Sequence, residues 1–138
     1  MKCLIVEDDF ICRKVLQAYL SDFADVFMAC SGAEAISAFA EAMDDGKPYD
    51  LICLDIMMPG MDGHEVLTRT RSVESERGIG GLDGVKIIMT TALDDSDNIL
   101  GAFRTGCEAY VVKPIEKTKL INEICKLGLM IETKAGSR

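Results

Sequence analysis

The chain has no apolar run long enough to cross a bilayer, which excludes a membrane-spanning helix as its organising feature. Its N-terminus reads Met1-Lys2-Cys3-Leu4-Ile5-Val6 and then turns acidic, too short an apolar stretch for the core of a signal peptide. A cytoplasmic location is the expectation that follows. No Cys-X-X-Cys spacing occurs among the six cysteines, so the sequence offers no metal or redox signature of that kind. Cys3, Cys30 and Cys53 fall in strand-like runs, Cys12, Cys107 and Cys125 in helix-like ones, and all are read as reduced core thiols. The single histidine, His64, follows a Met-Asp-Gly turn with no second imidazole to join, and reads as a solvent-facing helix residue. Positive charge is scarce: 15 Lys and Arg stand against 23 Asp and Glu, and a net charge of −8 opposes direct binding to nucleic-acid phosphates. Repeats, low-complexity tracts and linkers are absent too.

What is present is the material of one domain. A length of 138 residues, 49% hydrophobic and 28% charged, suffices for a single substantial core. Short continuous apolar runs alternate with stretches of helical spacing, the pattern of βα units around a parallel sheet. The runs predict strands at about 2–6, 25–29, 50–54, 85–90 and 109–112. Between them, Ile11, Val15 and Ala18 with Leu16, Tyr19, Leu20 and Phe23 make one amphipathic stripe, and Ile36, Phe39, Ala40 and Met43 a second. Ser31 followed by Glu34 fits a capping box at the second helix. A third helix follows Gly63, a fourth carries Ile99, Ala102, Phe103 and Gly106 with Asp94 or Asp95 as cap, and a fifth carries Leu120, Ile121, Ile124 and Leu127. The stretch Gly78 to Gly84, rich in glycine, reads as a flexible loop, more tolerated slack than partner-binding flap. Residues 1–131 are expected to form the domain and 132–138 a disordered tail.

Each predicted strand but the second runs into a polar residue: Glu7-Asp8-Asp9, Asp55, Thr90-Thr91, and Lys113-Pro114. In an open parallel sheet, ligands bind beyond the carboxyl ends of the strands, so these residues can converge on one site. Glu7, Asp8 and Asp55 suit a hard divalent cation, because Mg²⁺ takes oxygen ligands and commonly binds one or two carboxylates plus waters and a phosphate. An aspartate beside such an ion can act as a nucleophile and form an acyl phosphate, with a hydroxyl and a lysine holding the phosphoryl oxygens.

The strings Val6-Glu7-Asp8-Asp9, Asp50 to Gly63 around Leu54-Asp55-Ile56-Met57-Met58-Pro59-Gly60, the pair Thr91-Ala92, and Ala109-Tyr110-Val111-Val112-Lys113-Pro114 resemble the receiver domain of bacterial two-component response regulators. The resemblance spans nearly the whole chain, with four separated motifs in order. It implies a doubly wound α/β fold, a (βα)5 flavodoxin-like arrangement with strand order 2-1-3-4-5. It also implies that Asp55 is the phosphoacceptor, served by a sensor histidine kinase or a histidine phosphotransfer protein. Mg²⁺ (or Mn²⁺) would touch Asp8, Asp55 and the Met57 carbonyl, with Glu7 acting through water. Thr91, with Ala92 beside it, and Lys113 would bind phosphoryl oxygens, Pro114 would follow a cis bond, and Asp9 would start a helix. Thr91 drawn inward would let Tyr110 rotate from exposed to buried and alter the surface of helix four, strand five and helix five. A downstream protein target, no nucleic acid, no membrane, and a monomer or a weak dimer on phosphorylation complete what the resemblance implies.

The chain departs from the commonest receiver pattern in places. Met57 and Leu93, two places beyond Asp55 and Thr91, are apolar where many relatives are polar, and this pair is expected to shield the acyl phosphate from water. Ile115 follows Pro114 where an aromatic is common. Because the chain ends after the fifth helix, the expected protein is a stand-alone receiver that signals by direct contact; a piece of a longer regulator is the other possibility. Two alternatives stay open: a receiver that binds partners without phosphorylation, and a Mg²⁺-dependent aspartyl-phosphate phosphohydrolase. The second wants a carboxylate at position 57, where methionine stands, and a flavodoxin-like cofactor site lacks its hydroxyl-rich loop after the first strand.

Overall fold

The computed structural model describes residues 1–80, 83–92 and 96–129, with no side-chain placement for 96–99 and 105. Five strands and five helices alternate: β1 Lys2–Val6, α1 Phe10–Leu20, β2 Asp25–Ala29, α2 Gly32–Asp44, β3 Leu51–Asp55, α3 Gly63–Glu76, β4 Lys86–Thr91, α4 Ser96–Thr105, β5 Ala109–Val112 and α5 Lys117–Lys126. The strands form one parallel sheet ordered β2-β1-β3-β4-β5, the order expected. Chain direction across the sheet reverses between β1 and β3, so a crevice opens beyond their carboxyl ends.

Both faces of the sheet are covered, which is why β3 is buried throughout and reads as a continuous apolar run. Alternation then divides its side chains. Leu4, Val6, Ile52, Leu54, Ile87 and Met89 face a core completed by Phe39 of α2, Val66 and Leu67 of α3 and Ala102 of α4. Cys3, Ile5, Leu51, Cys53 and Ile88 face a second core closed by Leu16 and Leu20 of α1 and Leu120 and Ile124 of α5.

The structure shifts several expected details. β3 ends at Asp55 and β4 at Thr91, one residue later than predicted. The ladder continues through them because backbone pairing is indifferent to side-chain polarity, and Asp55 pairs with Thr90. In α1, Ile11 and Ala18 are exposed, and the buried line is Leu16–Leu20. In α2 the small residues Ala35 and Ala42 flank Phe39 against the sheet, while Ile36, Ala40 and Met43 sit at the margin. Ser31 caps α2 through the Glu34 amide at 3.2 Å, but the Glu34 carboxylate reaches back to the amide of Cys30, not of Ser31. Cys30 lies beyond β2 and is exposed, as is Cys125, and Cys107 is buried just after α4; core thiols are thus Cys3, Cys53 and Cys107, with Cys12 intermediate. His64 is half-buried, packed where Gly101 of α4 leaves room for its ring. Leu93, Asp94, Asp95, Gly81, Leu82 and the 132–138 tail lie outside the described residues.

The glycine-rich loop is tied down at its described ends. Ile79 N donates to Glu74 O at 2.9 Å, and Val85 N donates to the buried Glu74 carboxylate at 2.6 Å. Arg71 completes this knot, donating to Glu74, to the Val85 carbonyl, to the Gly106 carbonyl and to Glu108. Glu108 in turn accepts from Ile87 N at 2.6 Å. At the opposite end, Gly63 N donates to Ile56 O at 2.8 Å, which pulls the start of α3 against the end of β3. A Cβ on Gly63 would overlap the Asp55 carbonyl oxygen and lie 2.7 Å from Ile56 Cα.

Gly63→Ala is therefore expected to cost about 1–3 kcal/mol, as overpacking at a closed contact does, read from urea unfolding. A second prediction concerns the thiols. Burial, followed by the Glu108 charge, pushes Cys107 up to about 11 from an ordinary 9.0, and the hydrogen bond with Cys53, followed by burial, holds Cys3 well above its ordinary value. In the native protein at pH 8, iodoacetamide should label Cys30 and Cys125 and leave Cys3, Cys53 and Cys107 protected, as peptide mass mapping would show. A raised thiol favours the neutral folded form, so its stabilisation is complete below pH 9.0 and is lost as pH rises towards about 11. The unfolding midpoint should fall across that window, and less in Cys107→Ala.

Candidate functional site

The polar strand ends do converge. Glu7 and Asp8 follow β1, Asp55 closes β3, Thr91 closes β4, and Lys113 follows β5. Backbone bonds carry the ladder past the strands and place these residues: Glu7 N donates to Ala29 O at 3.1 Å, Ile56 N to Thr90 O at 3.1 Å, and Lys113 N to Thr91 O at 2.7 Å. Glu7, Asp55 and Thr91 are almost wholly buried. Asp8 is exposed and opens the group to solvent.

Lys113 Nζ donates to Glu7 Oε1 at 2.7 Å and lies 3.3 Å from Asp55 Oδ1. Asp55 Oδ1 also accepts from the Met57 amide at 3.2 Å. Burial, then the neighbouring Asp55 carboxyl, raises the Glu7 pKa, with Lys113 working the other way. Burial alone would lower Lys113, but its hydrogen bond to Glu7 and the charges of Asp55 and Glu7 outweigh that and hold it above its ordinary value. The Lys113–Pro114 bond is cis.

Glu7, Asp8 and Asp55 each offer a carboxylate oxygen, and these lie within 4.8 Å of one another. Around Mg²⁺ at 2.0–2.1 Å, octahedral oxygens stand about 3–4 Å apart. The three carboxylates thus fit a hard divalent cation after a small closure, and the exposed side of Asp8 leaves room for waters.

Tyr110 projects from β5 with 40% exposure, in edge contact with Phe103. Ala92 is exposed beside the buried Thr91, whose hydroxyl reaches the Ala92 carbonyl at 3.3 Å. Met57 stands 63% exposed at the rim with Phe10 and Ile11. Asp9 caps α1, accepting from Cys12 N at 3.0 Å. Ile115 is half-buried, its carbonyl accepting from the Tyr19 hydroxyl at 3.1 Å.

Sequence reasoning passed over Arg13. Its Nη1 donates to the carbonyls of Glu7 at 2.9 Å and Asp8 at 3.0 Å, fixing the acidic turn from below. The only signal was a basic residue one helical turn past the acidic string. Arg71 was also missed, since nothing in its local sequence marks contacts to residues 35 and 37 positions away.

The chain is similar to known proteins in sequence and in fold. The family model for the response regulator receiver domain matches residues 3–125. The transcriptional regulatory protein AruR of Pseudomonas aeruginosa is 38% identical over 122 residues, covering 88% of this chain and 46% of AruR. Probable histidine kinase 2 of Oryza sativa subsp. indica is 31% identical over 134 residues, covering 90% of this chain and 12% of the kinase. The chain thus spans less than half the length of these curated relatives. Among solved structures, the receiver domain of the Arabidopsis thaliana histidine kinase CKI1, complexed with Mg²⁺ and BeF₃⁻, superimposes with a TM-score of 0.75 at 28% identity, covering 92% of this chain and 89% of that one. A chain from the Saccharomyces cerevisiae complex of the histidine phosphotransfer protein Ypd1 with the receiver domain of Ssk1 gives 0.79 at 26% identity, covering 93% and 88%. With the family model spanning nearly the whole described chain and the acidic crevice formed at the switch point of its sheet, this chain belongs to the response regulator receiver domain family of two-component signalling proteins.

Proposed function

We propose that the chain accepts a phosphoryl group on Asp55 from the phosphohistidine of a sensor kinase or phosphotransfer protein, and signals through the surface of α4, β5 and α5. The observation that carries this reading is the Lys113 ammonium seated between the Glu7 and Asp55 carboxylates, 2.7 and 3.3 Å away, with Asp8 open to solvent beside them. A carboxylate oxygen of Asp55 bonds to phosphorus while the phosphorus–nitrogen bond breaks and the imidazole leaves with the electron pair. Charge on the equatorial oxygens must then be neutralised. Lys113 exchanges part of its contact with Asp55 for one of these oxygens, and the Thr91 hydroxyl, with Ala92 beside it, donates to another. Asp8, Asp55 and the Met57 carbonyl, with Glu7 through water, would hold Mg²⁺ (or Mn²⁺), which would supply the remaining positive charge.

Thr91, drawn towards the phosphoryl group, vacates space into which the Tyr110 ring turns. The exposed apolar rim of Phe10, Ile11 and Met57 suits a partner helix that presents its histidine to the crevice. Two relatives support the partner and cofactor classes: the CKI1 receiver was solved with Mg²⁺ and BeF₃⁻, and the Ssk1 receiver with a phosphotransfer protein. Met57 at the position where an aspartyl-phosphate phosphohydrolase wants a second carboxylate weighs against turnover of external phosphoesters.

The test is incubation with acetyl phosphate and Mg²⁺ followed by intact mass. One added phosphoryl group is expected, absent without Mg²⁺ and absent in Asp55→Asn. If wild type takes up no phosphoryl from acetyl phosphate or from a cognate kinase, and beryllofluoride does not bind, the protein is an interaction module independent of phosphorylation. A further prediction concerns lifetime. Met57 offers an attacking water no hydrogen bond, so Met57→Asn, by adding an orienting bond of about 1 kcal/mol, should speed loss of phosphate about fivefold. A decay rate slower than wild type, followed by mass over time, would show that Met57 does not shield the acyl phosphate.

A further inference from the structure

Phe103 of α4 and Tyr110 of β5 meet edge to face, with ring centroids 5.9 Å apart and planes at 84°. Both residues stand at the surface, 43% and 40% exposed, so the ring contact is made where Tyr110 is free to turn. Among the described residues, the Tyr110 hydroxyl has no hydrogen-bond partner. The ring contact with Phe103 is thus the directional contact the Tyr110 side chain makes there.

The frame beneath the pair is rigid. Arg71 Nε and Nη2 donate to the Gly106 carbonyl at 3.1 and 2.7 Å, and Nη2 donates to both Glu108 oxygens at 3.0 Å. Gly106 lies three residues after Phe103, and Glu108 two before Tyr110. One guanidinium, itself held by Glu74 at 2.8 Å and the Val85 carbonyl at 2.9 Å, thus fixes the backbone below both rings. With Gly106 and Glu108 held there, the freedom the pair retains is side-chain rotation.

We propose that Phe103 is a positioning residue that holds the Tyr110 ring outward, so that turning the ring inward must first break this edge-to-face pair. The proposal rests on the reading of Tyr110 as the moving residue of the phosphorylation switch. An interaction made only in the resting conformation weakens binding of any phosphoryl mimic that selects the other one, by the factor it contributes to the resting state. An aromatic pair of this geometry corresponds to about a two- to tenfold factor. The chain has three tyrosines, so 3-fluorotyrosine gives three ¹⁹F resonances, and Tyr110→Phe assigns the relevant one.

The experiment titrates wild type, Phe103→Ala, Phe103→Leu and Phe103→Tyr with beryllofluoride in Mg²⁺, following the Tyr110 resonance. In Phe103→Ala, beryllofluoride should bind about two- to tenfold tighter, and the free-protein resonance should lie nearer its bound position. Phe103→Leu, which keeps apolar bulk without a ring, should behave like Phe103→Ala, and Phe103→Tyr should restore wild-type values. A wild-type resonance that moves on binding, with affinities unchanged across the variants, overturns the role of Phe103 and leaves the switch standing. Weaker binding in Phe103→Ala and Phe103→Leu overturns it as well, since the pair would then belong to the active conformation. A wild-type resonance that stays fixed at saturating beryllofluoride overturns the switch reading and this proposal together. Should Phe103→Ala fail to fold, Phe103→Leu carries the same comparison.

Discussion

Like charges crowd the carboxyl end of the sheet, and the site depends on how Lys113 compensates them. Glu7 and Asp55 are both almost wholly buried, and with Asp8 their oxygens fall within 4.8 Å. Two unit charges about 4 Å apart near a protein surface repel by about 4 kcal/mol. Without a counter-charge, that repulsion would push β1 and β3 apart at their ends or force Glu7 to hold a proton. The Lys113 ammonium, 2.7 Å from one carboxylate and 3.3 Å from the other, removes much of that strain. Its own raised pKa is the reciprocal sign: the carboxylates keep it charged against the burial that would discharge it. A ligand can enter only by offering these groups a better arrangement. A cation satisfies the carboxylates, and an anion bearing several oxygens satisfies the lysine so released.

The residues that make this site were legible in the sequence because each stands where an apolar run meets a polar residue, a signal that survives without any three-dimensional information. The strands were legible for the same reason. Reading side-chain polarity as the end of a strand leaves Asp55 outside β3, whereas the hydrogen bonds that define the ladder belong to the backbone; β4, read to Thr90, likewise runs one residue further. Helix faces were harder. In α1, Ile11 fits the apolar spacing and yet stands 67% exposed at the rim of the site, where the helix has only just left the crevice and has no sheet beneath it. In α2, alanine and phenylalanine share the buried line, since the closest approach to the sheet favours small side chains over the larger ones that periodicity alone selects. Contacts between residues far apart in sequence, such as those of Arg71, left no local trace.

The two ends of the molecule are built from opposite materials. At the amino ends of β4 and β5, Arg71, Glu74 and Glu108 satisfy one another and the backbone groups of Val85, Ile87 and Gly106, so every buried charge has its partner within the fold. Such a closed network resists rearrangement, because removing one member leaves the others buried and unpaired. At the carboxyl ends, by contrast, one ammonium pairs with two of three clustered carboxylates, Glu7 and Asp55, and Asp8 faces solvent, so negative charge is in surplus there. The structure is complete at one end and chemically unfinished at the other.

Parallel topology turns that asymmetry into a direction for motion. The strands point their carboxyl ends towards the crevice, and the residues that would meet a phosphoryl group either close their strands, as Asp55 and Thr91 do, or follow them directly, as Asp8 and Lys113 do. A charge added there would act at one end of β4 and β5, whose far ends are held by the Arg71 network. In α4 and β5 the fixed point lies at Gly106 and Glu108, and the exposed large hydrophobic side chains among the described residues of these elements are Leu100, Phe103 and Tyr110. On the proposed reading, a displacement begun at Thr91 would reach an apolar and aromatic surface, since the close packing of the core permits few intermediate arrangements. The same order of elements that gathers the acids at one end of the sheet also sets Phe103 and Tyr110 side by side on α4 and β5.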